Sequence, residues 1–329
     1  MLIVTTRTVK YHHLGSEIRL ATDMELKNIE AGVLNVVYEE WGPAVGEPVC
    51  LLHGFPYDVR AYEEVAPRLA EFGCRVIVPY LRGYGPTRFL SPDTPRSGEQ
   101  AVLGNDLLTL LDALEIEAAV LGGYDWGGRA ACIVAALWPE RVKGLVSCNG
   151  YNIQNIATSS RPAAPELEYK FWYQYYFHSE RGRAGLDANR HPYCKLLWRL
   201  WSPNWDFGDA AYDRTAKSFE NPDFVDVVIH SYRHRYGLVP GDPAVADIEA
   251  RLATRILISV PTVAMDGGGD GVVDENGCMG HERFFTGPYR RQVIPSVGHN
   301  LPQEAPAEFS KAILSLVEPT SRWTVRPST

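Results

Sequence analysis

Short apolar runs and amphipathic segments alternate along this chain, stop for roughly 95 residues, and then resume. GVLNVVYEEW at 32–41 reads as a strand ending at Gly42-Pro43, and VCLLH at 49–53 as a buried parallel strand. Residues 59–72 read as a helix with Tyr62, Val65, Ala66 and Leu69 on one face; Gly73 stops it and Pro67 kinks or restarts it. RVIVP at 75–79 is the next strand. Ser97 stands three residues before Gln100 in capping-box spacing, ahead of a helix whose stripe is Leu103, Leu107, Leu110, Leu111 and Leu114. A strand at 118–123, an Ala-rich helix at 127–138 and a strand at 142–148 follow. Such alternation builds a parallel sheet with helices on both faces.

From 151 to 245 the pattern changes to aromatic-rich helical stretches: EYKFWYQYYF, CKLLWRLWSPNW and FVDVVIHSYRHRY, with Trp172, Trp198, Trp201 and Trp205. Alternation returns with a helix near 244–254, strand VPTVAM at 260–265, a helix near 276–285 and strand RRQVIPSV at 290–297. A last helix presents Phe309, Ala312, Ile313, Leu316 and Val317. The expected organisation is an α/β core formed by 1–150 and 246–329, split by a helical cap at 151–245, too long for an ordinary connection. The 329 residues, 45% hydrophobic and 22% charged, suffice for one large core. A net charge of −8 without a dense Lys/Arg run argues against a nucleic-acid partner. MLIVTTRTVKYHH lacks the long apolar stretch of a secretory signal, and no run approaches the roughly 18 apolar residues of a membrane span. Six scattered cysteines without CxxC or His/Cys ligand spacing imply buried free thiols, a cytoplasmic location and no metal. No cofactor is implied, a homo-oligomer is left open, and residues 1–29 carry no legible function.

The chemistry centres on Gly122-Gly123-Tyr124-Asp125-Trp126-Gly127-Gly128, which joins an apolar strand to a helix. A sharp strand-to-helix turn needs small flanks, supplied by Gly123 and Gly127. This is the pattern of a nucleophile elbow with Asp in place of Ser, and the positive end of the helix favours an anion there. An Asp before a helix also serves as a plain cap, so the elbow alone does not decide. Two further elements do. His53-Gly54-Phe55-Pro56 follows the strand expected to bear an oxyanion hole, formed by the amides of Phe55 and Trp126. Gly298-His299-Asn300 follows the last strand, and Asp270 lies in the loop MDGGGDG after the strand before it. Asp266 and Asp274 flank Asp270; Asp270 is preferred because it lies far enough along the loop to turn toward the histidine.

A carboxylate nucleophile attacking an ester or amide would gain little, since the product is an anhydride. Attack on a strained or activated sp³ carbon gives a stable alkyl ester, which His299, oriented by Asp270, hydrolyses with water. The electrophile is thus an epoxide or an alkyl halide. An epoxide oxygen needs O–H donors, for which tyrosines are apt, whereas a halide needs only weak donors such as an indole N–H.

Through HGFP at 53–56, RGYG at 82–85, GYDWGG at 123–128 and GHN at 298–300, the chain resembles the soluble epoxide hydrolases of the α/β-hydrolase fold family over about 30–317. Trp172-Tyr173-Gln174-Tyr175-Tyr176-Phe177 and Ser231-Tyr232-Arg233 add to the likeness. The resemblance implies a mostly parallel central sheet flanked by helices, an epoxide-to-diol reaction, and Tyr173 and Tyr232 as ring-opening donors. His53, Trp126, Trp172 and Tyr176 are expected at the substrate, and the aromatic content suggests a bulky apolar or aromatic epoxide. Should Tyr173 and Tyr232 only pack, Trp172, Tyr176 and His230 are the next donors to consider. Haloalkane dehalogenases also carry Asp-Trp at the elbow but usually have Asn or Glu at the position of Phe55. Haloacetate dehalogenases share His-Gly-Phe-Pro but usually have Arg where this chain has Trp126. The alternatives are therefore a dehalogenase and, from another class, a non-catalytic binding protein of this fold.

Overall fold

The structure is a computed structural model and is described for residues 24–273 and 277–317. Nine strands form one sheet: β1 (Glu25–Ala31), β2 (Leu34–Trp41), β3 (Glu47–Leu52), β4 (Cys74–Pro79), β5 (Arg88–Phe89), β6 (Ala119–Gly123), β7 (Val142–Cys148), β8 (Thr262–Gly267) and β9 (Tyr289–Ile294). Their order is β1-β2-β4-β3-β6-β7-β8-β9, with β5 on β2. Every pair from β4 to β9 is parallel, while β2 pairs antiparallel with β1, β4 and β5. This is the α/β arrangement expected from the alternation. Val49, Cys50, Leu51 and Leu52 are all buried because helices cover both faces of the sheet. Each large apolar side chain so enclosed contributes about 1.5–3 kcal/mol.

One face carries α1 (Val65–Glu71) and α12 (Pro306–Val317); the other carries α2 (Gln100–Ala113), α3 (Asp125–Leu137) and α10 (Ala246–Leu252). Pro67 falls in the first turn of α1, where its missing N–H has no intrahelical partner to lose, and a separate 3₁₀ turn occupies Val59–Tyr62. Between β7 and α10 the chain forms six α-helices: α4 (Pro165–Lys170), α5 (Trp172–His178), α6 (Glu180–Ala188), α7 (Arg190–Trp201), α8 (Gly208–Ala216) and α9 (Phe224–His234). α9 buries Phe224, Val225, Val227, Val228, Ile229 and Tyr232, and so packs as an amphipathic helix. α11 (Leu301–Glu304) is a single turn before α12.

Several local expectations are corrected. Ser97 does not cap α2: the N-cap is Glu99, and the Ser97 hydroxyl accepts from Arg82 Nη1 at 3.1 Å instead. The helix expected near 276–285 is only a 3₁₀ turn at His281–Phe284 among the described residues. β1 gave no strand reading, and its alternating burial shows it to be an edge strand half open to water. α3 begins at Asp125, two residues earlier than its pattern suggests. All six cysteines are free and buried. No helix among the described residues is long and apolar enough to cross a membrane.

Candidate active site

The ends of β3, β6, β8 and β9 open on the same edge of the parallel sheet, where side chains from the loops can converge. Asp125 occupies the turn between β6 and α3 with φ of +50°, a left-handed conformation strained for a residue with a Cβ. The turn closes only because Gly127 lies against β3: a Cβ there would run into the Leu52 carbonyl oxygen. Asp125 Oδ1 accepts from the Phe55 N–H at 2.8 Å, and Oδ2 lies 3.6 Å from His299 Nε2. The other ring nitrogen, Nδ1, is 2.8 Å from Asp270 Oδ2. Asp270 Oδ1 in turn accepts from the amides of Val272 at 2.7 Å and Val273 at 3.0 Å. Trp126 lies in the first turn of α3, where amides have no intrahelical acceptor.

Electrostatics follow from this geometry. Burial opposes charge on His299, but the Asp270 and Asp125 carboxylates outweigh it and push its pKa up to about 10. Burial likewise opposes ionisation of Asp125. The facing His299 imidazolium, the Arg129 guanidinium and the Phe55 N–H together hold its carboxyl below the usual range. His299 is fixed from behind: Ser202 Oγ accepts from its amide at 3.1 Å, and half-buried Glu304 accepts from the amides of Gly298 at 2.7 Å and Asn300 at 3.1 Å.

α7 holds all three loops. The Trp201 carbonyl accepts from the amides of Gly271 at 2.9 Å and His299 at 3.1 Å. Trp198 Nε1 donates to Pro56 O at 2.7 Å. Above Asp125 lies a cavity of about 730 Å³, and Asp125, His299, Tyr173, Val272 and Val273 line it.

The expected residues distribute unevenly around this cavity. Tyr173 is in its wall, and its hydroxyl accepts from Gln174 Nε2 at 3.0 Å. Tyr232 is buried just behind, its ring 5.4 Å from Tyr173, 5.5 Å from Phe55 and 6.1 Å from Trp126. His53, Trp126, Trp172 and Tyr176 are not in this wall. His53 is engaged in the fold: its Nε2 accepts from the Leu81 N–H at 3.1 Å, and Nδ1 donates to Gly54 O at 3.0 Å. Burial lowers its pKa to about 4, keeping the ring neutral. Trp172 and Tyr176 both pack on Tyr193. His230 Nδ1 accepts from the Gly98 amide at 3.0 Å. Asp266 does not reach the histidine; it is fully buried and bound to Arg291 Nε at 2.8 Å and Cys278 Sγ at 2.6 Å. Asp274 and residues 1–23 lie outside the described residues.

The wall is also more polar than the aromatic content suggests. Arg129, Asn149, Asn152, Gln154, Gln174 and Arg235 all face it. Arg129 could have been found in the sequence, because one helical turn after Asp125 places it on the same face of α3. Arg235, just past the end of α9, left no such signal.

The α/β hydrolase fold family profile matches residues 47–306. The chain belongs to the α/β-hydrolase fold family. A proposed epoxide hydrolase of Klebsiella pneumoniae in this α/β-hydrolase group has a solved structure 46% identical to the chain. Its TM-score is 0.87, and the match covers 88% of this chain and 96% of that one. Epoxide hydrolase A of Mycobacterium tuberculosis is 27% identical over 307 residues, covering 83% of this chain and 91% of that protein. Bifunctional epoxide hydrolase 2 of Sus scrofa is 33% identical over 146 residues, 44% of this chain. That match spans only 26% of the pig protein, and the matches to the Siraitia grosvenorii and mouse relatives span 37% and 18% of theirs.

Proposed function

We propose that this protein is an epoxide hydrolase that forms a vicinal diol through a covalent ester on Asp125. The observation that carries the reading is the continuous line from Asp270 through His299 to Asp125, with the Phe55 amide on the same carboxylate. In the first step an Asp125 oxygen attacks a ring carbon of the epoxide. The carbon–oxygen bond breaks, its electron pair stays on oxygen, and Tyr173, supported by Tyr232, donates the proton. Burial keeps both phenols protonated, as donors must be.

In the second step His299 takes a proton from water, and the oxygen adds to the Asp125 ester carbon. The amides of Phe55 and Trp126 stabilise the resulting oxyanion; on collapse the departing diol oxygen takes the proton held by His299, and the new Asp125 carboxyl passes its own proton to the imidazole. The proton count closes. At rest His299 carries the proton favoured by its two carboxylates. Esterification neutralises Asp125, so His299 gives up that proton, the tyrosine that served the alkoxide regains it, and the imidazole becomes a base. Residues 151–245 act as a cap over a core of 1–150 and 246–329.

A halide leaving group has one point in its favour: Trp126 Nε1 is buried without a hydrogen-bond partner. Trp126 is outside the cavity wall, however, whereas Tyr173 is in it. The test is single-turnover hydrolysis in ¹⁸O-labelled water with parallel halide measurement. Label is expected in Asp125 and not in the first diol; label in that diol would exclude the ester, and halide release without epoxide turnover would favour the dehalogenase.

A further inference from the structure

We propose that the substrate carries a carboxylate, held by the guanidinium groups of Arg129 and Arg235 in the cavity above Asp125. The inference rests on the reading of that cavity as an epoxide site and names the class of epoxide. Arg129 projects from α3 one turn beyond Asp125, about 6 Å further along the helix axis, and is only 8% exposed. Its one hydrogen bond is from Nε to the neutral Asn152 carbonyl at 3.3 Å. Arg235 reaches the cavity from just past the end of α9. Its Nη1 reaches only Gln174 Oε1 at 3.4 Å, while Nε and Nη2 are buried with no partner. The Tyr232 ring, 4.4 Å from its Cζ, fixes the guanidinium plane.

Among the described residues neither arginine forms an ion pair, although the buried Arg82 does. Arg82 is the internal comparison for Arg129: also buried, it is gripped by both oxygens of Asp106 at 2.6 Å. Glu249 feels the charge of Arg129 but makes no ion pair with it, one of its oxygens accepting from Gln100 Nε2 at 2.6 Å, and the acids at the cavity wall are engaged elsewhere. Asp125 is occupied by His299 and Phe55, and Glu168 accepts from the Tyr175 hydroxyl and the Ala163 amide. Two like charges thus face one cavity with donors to spare. Their mutual repulsion shows in Arg129, where burial first and the charge of Arg235 second lower the pKa to about 10. A carboxylate is the complement: its two oxygens fit the arginine fork and relieve both costs. The short separation of Arg129 from Asp125 limits the spacer between carboxylate and epoxide to a few bonds.

The test compares kcat/KM for 3-phenylglycidate, its methyl ester and styrene oxide at low and high salt. The carboxylate is expected to be preferred by at least tenfold, through KM, with the preference shrinking at high salt. In Arg129→Gln and Arg235→Gln the ratio of carboxylate to ester should fall toward unity, and Arg235→Lys should restore part of it. Equal or better turnover of the neutral epoxides by the unaltered enzyme, or a ratio unchanged in both variants, overturns the proposal and leaves the epoxide reading intact. If none of the three is hydrolysed, the epoxide reading fails, and calorimetric binding of cinnamate against cinnamamide decides the anion site separately. Binding of cinnamate alone, lost in Arg235→Gln, upholds it; equal binding of the two refutes it.

Discussion

Replacing Asp125 by Asn removes one of the two charges that flank His299, and the structure sizes the consequence. The Asp125 oxygen lies 3.6 Å from Nε2 and the Asp270 oxygen 2.8 Å from Nδ1. At an effective dielectric of about 20, a unit charge at that separation is worth roughly 4–5 kcal/mol to the imidazolium, about three powers of ten in proton affinity. The wild-type ring should stay protonated until near pH 10, whereas Asp125→Asn should bring its titration into the neutral range. ¹⁵N-histidine NMR from pH 5 to 11, with His299→Gln to assign the signal, measures both midpoints. The substitution imitates the ester in charge, so the same fall in affinity is what turns His299 into a base after alkylation. Equal midpoints in the two proteins, or a wild-type ring titrating near 6.5, would refute the exchange of roles described above. The sign also carries into stability. A pKa raised on folding stabilises fully below about pH 6.5, progressively less above it, and not at all beyond about 10. The urea midpoint of the wild type should therefore fall more steeply over that range than that of His299→Gln.

His299→Gln should still open the epoxide but stall at the ester, so intact-protein mass spectrometry should show an adduct equal to the substrate mass; its absence with substrate bound would place His299 before the covalent step. Tyr173→Phe removes a donor to a developing alkoxide, worth about 1.5–3 kcal/mol, so rapid-quench adduct formation should slow roughly ten- to a hundred-fold with ester hydrolysis unchanged. Asp266 at the end of β8 and Asp270 in the loop beyond it should separate cleanly. Asp270→Asn should slow ester hydrolysis, whereas Asp266→Asn should preserve turnover while losing about 1–3 kcal/mol of stability by weakening its buried pairing with Arg291 and Cys278.

What the sequence made legible was whatever depends on local chemistry. The apolar runs of β3, β6 and β7 are read from their neighbours alone, as is the elbow, whose glycines answer to contacts a few residues away. The order of Asp125, Asp270 and His299 follows from which strand each succeeds. The errors have a common origin in partners distant along the chain. Ser97 has the spacing of a cap, but Arg82 takes its hydroxyl. His53 sits beside the site in sequence, yet both its nitrogens are consumed by backbone. Trp172 and Tyr176 share a segment with Tyr173 but point to Tyr193, because consecutive helical residues face different sides. Arg235 could not be found at all, since a lone arginine in a polar stretch says nothing until its missing counter-ion is visible.

The last turns of α7 impose a mechanical rule. The carbonyl of Trp201 is shared by the Asp270 and His299 loops, and the indole of Trp198 is tied to the turn bearing Phe55. Pulling α7 outward would break these bonds together and disassemble acid, base and amide donor in a single motion. Traffic through the site must therefore leave this side shut. Among the described residues the opposite bank, formed by α4, α5 and the stretch around Arg235, has no hydrogen bond to the three loops. A swing of that bank would carry the donor Tyr173 with α5 and leave Asp125, Asp270, His299 and the Phe55 amide in register, so the tie through α7 divides the site into a part that must stay fixed and a part that is free to move.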